Sequence, residues 1–439
     1  MKSNEGNKMK LQEPKNSNYA ATVVRIERLI PLTADGPGKM DCDNVVGAPL
    51  LGYQAVVSKD TQVGDVGIVF TAETQLSDEY IRENNLYRHP ESNKDTKKSG
   101  YLEDNRRVKA VKFRGHRSDA LFMPLSSLAF TKIRLDELEV GDTFDVLGGK
   151  EICQKYEIKR KTVARVEKNK HKEFKRVEEK FLPEHYDSEN YFRNRDAIAP
   201  GREIIVTQKL HGTSVRIANT IVKRKLTLRD KIAKAMGAHI AETEFDYVYG
   251  SRRVIKDVNN PDHQHFYDSD IWTDAGQKIH DSIPENFILY GELIGYTPNG
   301  ALIQDRYAYD LDPGQNDLYI YRVAMVSNQG MLVDLAWDLV KEFCRDRGIK
   351  HVPELWRGQH MNFKAEDWLN KNFHKELHGG YPQAVPLADD SPCDEGVCVR
   401  VDGIAPYILK AKSPDFLQME SENLDKGVID TEELGKEEV

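Results

Sequence analysis

Long apolar runs are missing from this chain. No stretch of about 18 apolar residues occurs, which excludes a transmembrane helix. The N-terminus, Met1 to Asn18, is polar and has no apolar core of the kind a secretory signal carries, so it reads as a disordered lead-in. A soluble, cytoplasmic protein with no membrane partner is expected. Cysteine is scarce: five are scattered, the count is odd, and no CxxC pair occurs. That argues against a disulfide framework and a zinc site, and it fits a reducing compartment. The 13 histidines do not cluster at metal-ligand spacing, and His263 and His265 sit in a polar loop read as exposed. The sequence gives no evidence on oligomeric state, and a monomer is favoured.

What is present is charge, unevenly placed. The formal net charge is −8 over 439 residues. From Glu420 to Val439 there are eight acidic and two basic residues, and residues 417–439 read as an acidic tail. Lys150 to Lys180 instead holds 12 Lys/Arg against six Glu. Residues 150–182 therefore read as a basic linker, either a phosphate-contacting surface or a solvated helical connection. Hydrophobic content of 39% suffices for packed cores, and the length implies two or three units.

Residues 19–149 read as a β module. Ala21–Ile26, Tyr53–Val57 and Val66–Phe70 are strand-like. Val108–Phe113 alternates apolar and basic residues, which predicts one face in the core and one basic face out. Val63-Gly64-Asp65 and Val140-Gly141-Asp142 read as tight turns. Asn84–His89 and Lys112–Gly115 mix aromatics with cations, a composition suited to nucleic acid and equally ordinary at a strand edge.

The most informative stretch is Ile204-Ile205-Val206-Thr207-Gln208-Lys209-Leu210-His211-Gly212-Thr213-Ser214. A β-branched apolar run predicts a buried strand ending at a lysine. Burial at that mouth favours the neutral, nucleophilic amine, and Gly212 allows close approach of the backbone to a ligand. Downstream come Phe287–Leu289 leading to Tyr290-Gly291-Glu292, the aromatic strand Leu318–Val326, Glu395-Gly396 before Val397–Val401, and Ile408-Leu409-Lys410-Ala411-Lys412.

That order resembles the covalent nucleotidyltransferases: DNA ligases, RNA ligases and mRNA capping enzymes. Lys209-Leu210-His211-Gly212 resembles their KxDG motif, with His in place of Asp. Gly250-Ser251-Arg252-Arg253, Glu292, Tyr321, Glu395-Gly396 and Lys410/Lys412 fall on the later motifs in sequence order. Only 27 residues follow Lys412 (439 minus 412), too few for the C-terminal OB barrel of DNA ligases and capping enzymes. The arrangement is most similar to Deinococcus-type RNA ligases. An α+β fold is expected: a C-terminal adenylyltransferase core over 183–416, with an ATP-grasp-like mixed, largely antiparallel sheet, preceded by an OB-like β-barrel. Leu332–Arg347 is amphipathic and predicts a core helix.

The resemblance implies an ATP-dependent RNA ligase that seals 3′-OH and 5′-phosphate ends in RNA repair, through lysyl-AMP and adenylylated RNA. Its partner would be RNA, or a nicked duplex with RNA on the 3′-OH side. Lys209 would be the nucleophile, with Glu292, Glu395, Lys410 and Lys412 as further catalytic residues. Gln208, Leu210, Gly212, Ser214, Arg252 and Tyr321 would contact the nucleotide, with Tyr321 stacking on adenine. His211, Glu292 and Glu395 would hold Mg2+ or Mn2+. Strand alternation predicts that only one of Arg252 and Arg253 faces the site, with Arg252 favoured. Two departures stand out. His211 replaces the usual Asp, and Arg322 follows Tyr321 where an acid is usual. A DNA ligase, a GTP-using capping enzyme and a non-catalytic binding protein on the same scaffold are the alternatives.

Overall fold

The computed structural model describes residues 11–33, 41–158, 176–256, 267, 269–370, 372–388 and 393–428. The stretch 159–175, most of the expected basic linker, lies outside these, as do 1–10, the histidine loop 257–266 and 429–439.

The N-terminal part is one seven-stranded sheet. Its order is Thr143–Phe144, Ala21–Arg25, Val66–Thr71, Ala120–Pro124, Tyr53–Ser58, Asp41–Leu50 and Ile30–Thr33. Among the described residues the two end strands do not pair, so the expected barrel is not closed. The ends suit edges: one strand has two residues, and the other carries Pro31, which has no N–H to donate. Gly64 and Gly141 turn the chain at φ values of 101° and 100°, which glycine adopts without strain. Only Val108 and Ala110 of the alternating segment are buried. Val111–Phe113 is exposed throughout and pairs with His116–Ser118 as a projecting hairpin.

Residues 11–18 are not a loose lead-in. The Lys15 N–H donates to Asp145, and the Asn18 side chain accepts from the Asn190 N–H (2.7 Å), tying the N-terminal part to the C-terminal one. Gly52 seats against the Phe192 ring across the same seam. The acidic tail likewise begins as structure, in the helix Pro414–Asp425, with Phe416, Leu417 and Met419 buried.

The C-terminal part is two five-stranded sheets. The first runs Glu189–Asn190, Tyr407–Lys412, Gly396–Val401, Glu203–Lys209, Glu354–Gln359. The second runs Thr243–Gly250, Thr213–Lys223, Phe287–Gly295, Asn316–Val326, Leu332–Asp334. Ile204 and Val206 pack on one side of the first sheet, while Ile205 joins Val215, Leu289 and Val323 in the largest core. Burial on both faces is why the segment reads as a continuous apolar run. Each such side chain stabilises by roughly 1.5–3 kcal/mol relative to exposure. The stretch 332–347 is a short strand followed by the helix Trp337–Asp346, not a single helix. The region between the first two motifs is mostly paired strand, with an exposed helix, Leu228–Ala235, at its tip. Among the described residues no helix is long and apolar enough to cross a membrane.

Candidate active site

The chain passes from the first sheet to the second through Leu210-His211-Gly212, so Lys209 lies at the seam. Register does the rest. Lys209 pairs with Gly396, which pairs with Lys412, and Thr207 pairs with Cys398, which pairs with Lys410. In the second sheet Ser214 pairs with Glu292 and Glu292 with Tyr319. The register then shifts: Gly291 pairs with Ile320 but Tyr290 with Arg322, leaving Tyr321 as the extra residue of a bulge. A bulge re-aims its side chain. The Tyr321 hydroxyl lies 2.9 Å from that of Ser214, and its ring meets His185 edge-on.

Lys209 Nζ donates to Glu395 (2.8 Å), a carboxylate only 4% exposed. Lys412 Nζ lies 3.8 Å from the same carboxylate and 2.6 Å from Glu420. Burial acts to neutralise Lys209, but Glu395 and then Glu292 outweigh it and raise its pKa above the ordinary lysine value. This corrects the expectation of a neutral lysine: burial alone does not activate it. Burial opposes ionisation of Glu395, yet Lys209, His211 and Lys412 hold its pKa well below the usual carboxylate range. Lys410 behaves oppositely. Burial first, then Lys412, Lys209 and Arg252, push its pKa down to about 8.

These groups line two adjoining cavities. A larger one of about 410 Å³ holds Lys209, His211, Arg252, Arg253, Glu292, Glu395, Lys410 and Lys412, with Lys15 and Lys155 from the N-terminal part. A smaller one of about 130 Å³ is more apolar; Gln208, Lys209, Leu210, Ser214, Arg252, Glu292, Tyr321 and Lys410 border it. Sequence reasoning missed several of its other walls, among them His185, Tyr186, Trp337, Val352, Cys398 and Ile408. His185 is held neutral by burial and by Arg322 and Arg252. An aromatic pair just before the motif region was the signal available for His185 and Tyr186.

Several expectations change. Both Arg252 and Arg253 line the larger cavity, because the strand ends at Gly250 and alternation no longer applies. Arg252 also pairs with Asp187. Gly212 serves the protein's own packing: a Cβ there would stand 2.2 Å from the Leu293 carbonyl oxygen. Its N–H donates to Glu292 (2.9 Å). The Gln208 side chain bonds Val385 and Asp394, so it ties down a loop. His211, Glu292 and Glu395 are not a three-ligand metal cluster; among the described residues no such cluster occurs. His211 packs edge-on against Tyr307 and Phe416, with Nδ1 3.6 Å from Glu395. Arg322 turns from the cavity to Asp334 (2.5 Å) and stacks over Tyr186 and Tyr290.

A part-buried lysine ion-paired to one carboxylate, flanked by a second and by two more lysines, beside an aromatic slot, is an arrangement suited to nucleotide phosphates. Residues 202–412 match the RNA ligase family profile, from the Lys209 strand through Lys412. No curated protein sequence matches the chain. The fold is similar to that of Naegleria gruberi RNA ligase. A mutant of that enzyme with ATP and Mn aligns at TM-score 0.54 and 16% identity, covering 93% of this chain and 100% of that one. Its form with PPi aligns at 0.55 and 18%, over 92% and 98% of the two chains. An apo mutant aligns at 0.55 and 18%, over 93% and 99%.

Proposed function

We propose that this protein is an ATP-dependent RNA ligase that joins 3′-OH and 5′-phosphate ends. The observation that carries the reading is Lys209 at the sheet seam, in register with Lys410 and Lys412 and paired to Glu395, inside the segment that matches RNA ligases. The base of ATP enters the apolar slot, between Tyr321 and the walls formed by Leu210, Cys398 and Ile408. The phosphates extend past Lys209 into the larger, charged cavity.

Lys209 Nζ, once deprotonated, attacks the α-phosphorus. A P–N bond forms, the bond to the bridging oxygen breaks, and pyrophosphate leaves with the electron pair. An RNA 5′-phosphate oxygen then attacks the lysyl-AMP, and Lys209 departs as the amine. Finally a 3′-OH attacks the activated 5′ end and AMP leaves. Splitting the condensation this way replaces one difficult step by easier ones. Lys410 and Lys412 offset charge on the α-phosphate, and Arg252 and Arg253 present guanidinium forks to phosphate oxygens.

Two carboxylates at one site suit Mg2+ or Mn2+, which keep several waters and need few protein ligands. Glu292 and Glu395 would hold such a cation, which would supply positive charge at the α-phosphate; in the structure Glu395 and then Glu292 keep Lys209 protonated. The Naegleria structure with ATP and Mn supports both cofactors.

The test is nick sealing with matched duplexes that differ only in an RNA or DNA 3′-OH strand, with ATP or GTP and either metal. Sealing of the RNA 3′-OH nick with ATP is expected. Sealing confined to DNA, or dependence on GTP, contradicts the reading.

A further inference from the structure

The helix Pro414–Asp425 begins directly after Lys412 and Ser413, and its far end is clamped by the N-terminal part. Arg107 is the clamp. Its side chain is 1% exposed and donates to Glu73 Oε2 (2.8 Å), to the Ser421 carbonyl (3.1 Å) and to Asp425. The Ser421 hydroxyl donates to the other Glu73 oxygen and accepts from the Ala110 N–H (2.9 Å). Lys109 adds a second cation on Asp425 (2.9 Å). Leu417 packs beside Ala72 and Ala110. One residue before Ser421, Glu420 reaches Lys412 at 2.6 Å.

Glu73 occupies an unusual backbone state. Its φ is 67°, a left-handed conformation that favours Gly, Asn or Asp. A non-glycine residue persists there only when its surroundings over-determine it. The surroundings are the clamp: its N–H bonds Val108, its carbonyl accepts from Tyr156, and both carboxylate oxygens are engaged. A glutamate stands where turn geometry alone favours another residue.

We propose that Glu73 and Arg107 are positioning residues for the motif lysine Lys412. They hold the helix in rotation and height, the helix presents Glu420, and Glu420 aims the Lys412 ammonium at the reacting phosphate. The N-terminal part thereby takes part in the first chemical step through a helix distant in sequence (|i−j| of 314 and 318 for the bonds that join them). The proposal rests on the ligase reading above. Buried, hydrogen-bonded ion pairs are well suited to fixing register.

The experiment is single-turnover transfer of label from α-labelled ATP to the full-length protein. Glu420→Gln, Arg107→Met and Asp425→Asn are compared with wild type, singly and in a Lys412→Ala background. In otherwise wild-type protein each variant is expected to slow lysyl-AMP formation at least tenfold, while the ATP concentration for half-maximal rate changes less than threefold. Glu420→Asp restores part of the rate. In the Lys412→Ala background the same substitutions change the residual rate less than twofold, because the residue they act through is gone. Equal losses in both backgrounds, or an unchanged rate for Glu420→Gln, overturn the proposal. Should Arg107→Met fail to fold, Glu420→Gln and the half-exposed Asp425→Asn decide alone. Wild-type protein that takes no label sinks the ligase reading itself, a different result from labelled wild type with unaffected variants.

Discussion

Two clusters of charge stand at the two ends of the helix Pro414–Asp425, and they follow opposite rules. At the far end Arg107 is met by Glu73, Asp425 and a carbonyl, and each carboxylate has its own donors. At the near end the partners are shared. Lys209 and Lys412 share Glu395, Lys412 also takes Glu420, and Lys410 has no ion pair among the described residues. The closed cluster lines neither of the two cavities described above, whereas the open one faces about 410 Å³. Buried charge is tolerated in a fold when it is paired and hydrogen-bonded. Three lysines gathered on one cavity, with Lys410 held by no ion pair among the described residues, leave room for an anion from outside. The contrast separates a joint from a site without appeal to any motif.

Breaking the open cluster removes chemistry. Lys209→Ala is expected to abolish covalent labelling by α-labelled ATP. Glu395→Gln is expected to slow labelling about 100-fold, the scale for losing a preorganised electrostatic partner. Pre-steady-state label transfer checks both.

Breaking the closed cluster removes stability first. Arg107→Met leaves Glu73 buried without its cation and is expected to cost about 3 kcal/mol in urea unfolding. Because burial raises the Glu73 pKa to about 7, that carboxyl can take up a proton, which keeps the loss at the low end. Lys410→Met is the converse. The folded-state pKa of Lys410 lies below its unfolded value, so charging it opposes folding at neutral pH and ceases to do so at high pH. The variant is expected to melt at or above the wild-type temperature at pH 7 while binding ATP far more weakly. A clear drop in melting temperature would assign Lys410 to the joint class.

The smallest effect is in pH. Lys410 is charged below about 8 and neutral above it. The affinity of the free protein for ATP is expected to fall as pH rises through about 8, and Lys410→Arg moves the break upward. Calorimetric titration between pH 6.5 and 9.5 reads it.

The site was legible in sequence where short motifs end strands. Lys209, Glu292, Glu395, Lys410 and Lys412 each sit beside an apolar run; pairing within the first sheet gathers the three lysines and Glu395, and Glu292 reaches the same cavity from the second sheet. Tyr321 was visible as an aromatic, but its aim depends on a bulge opposite Tyr290 and Gly291, which no local pattern encodes. The packing reason for Gly212 was not legible, because the Leu293 carbonyl that excludes a side chain lies 81 residues away (293 minus 212). Arg252 and Arg253 were misjudged by extending strand alternation past Gly250, where the strand ends. The Arg107 joint left no trace, since Glu73, Arg107, Ser421 and Asp425 form no period or motif. In the N-terminal part the strands were readable, but sheet closure was not, because it turns on which edges pair.

The most direct test is to locate the covalent adduct. The protein is incubated with ATP and Mn2+, digested, and its peptides sequenced by mass spectrometry. AMP attached to Lys209, with Lys410 and Lys412 unmodified, is the predicted result. AMP on another lysine, or on none while the protein still seals RNA, would contradict the assignment of Lys209 as the nucleophile.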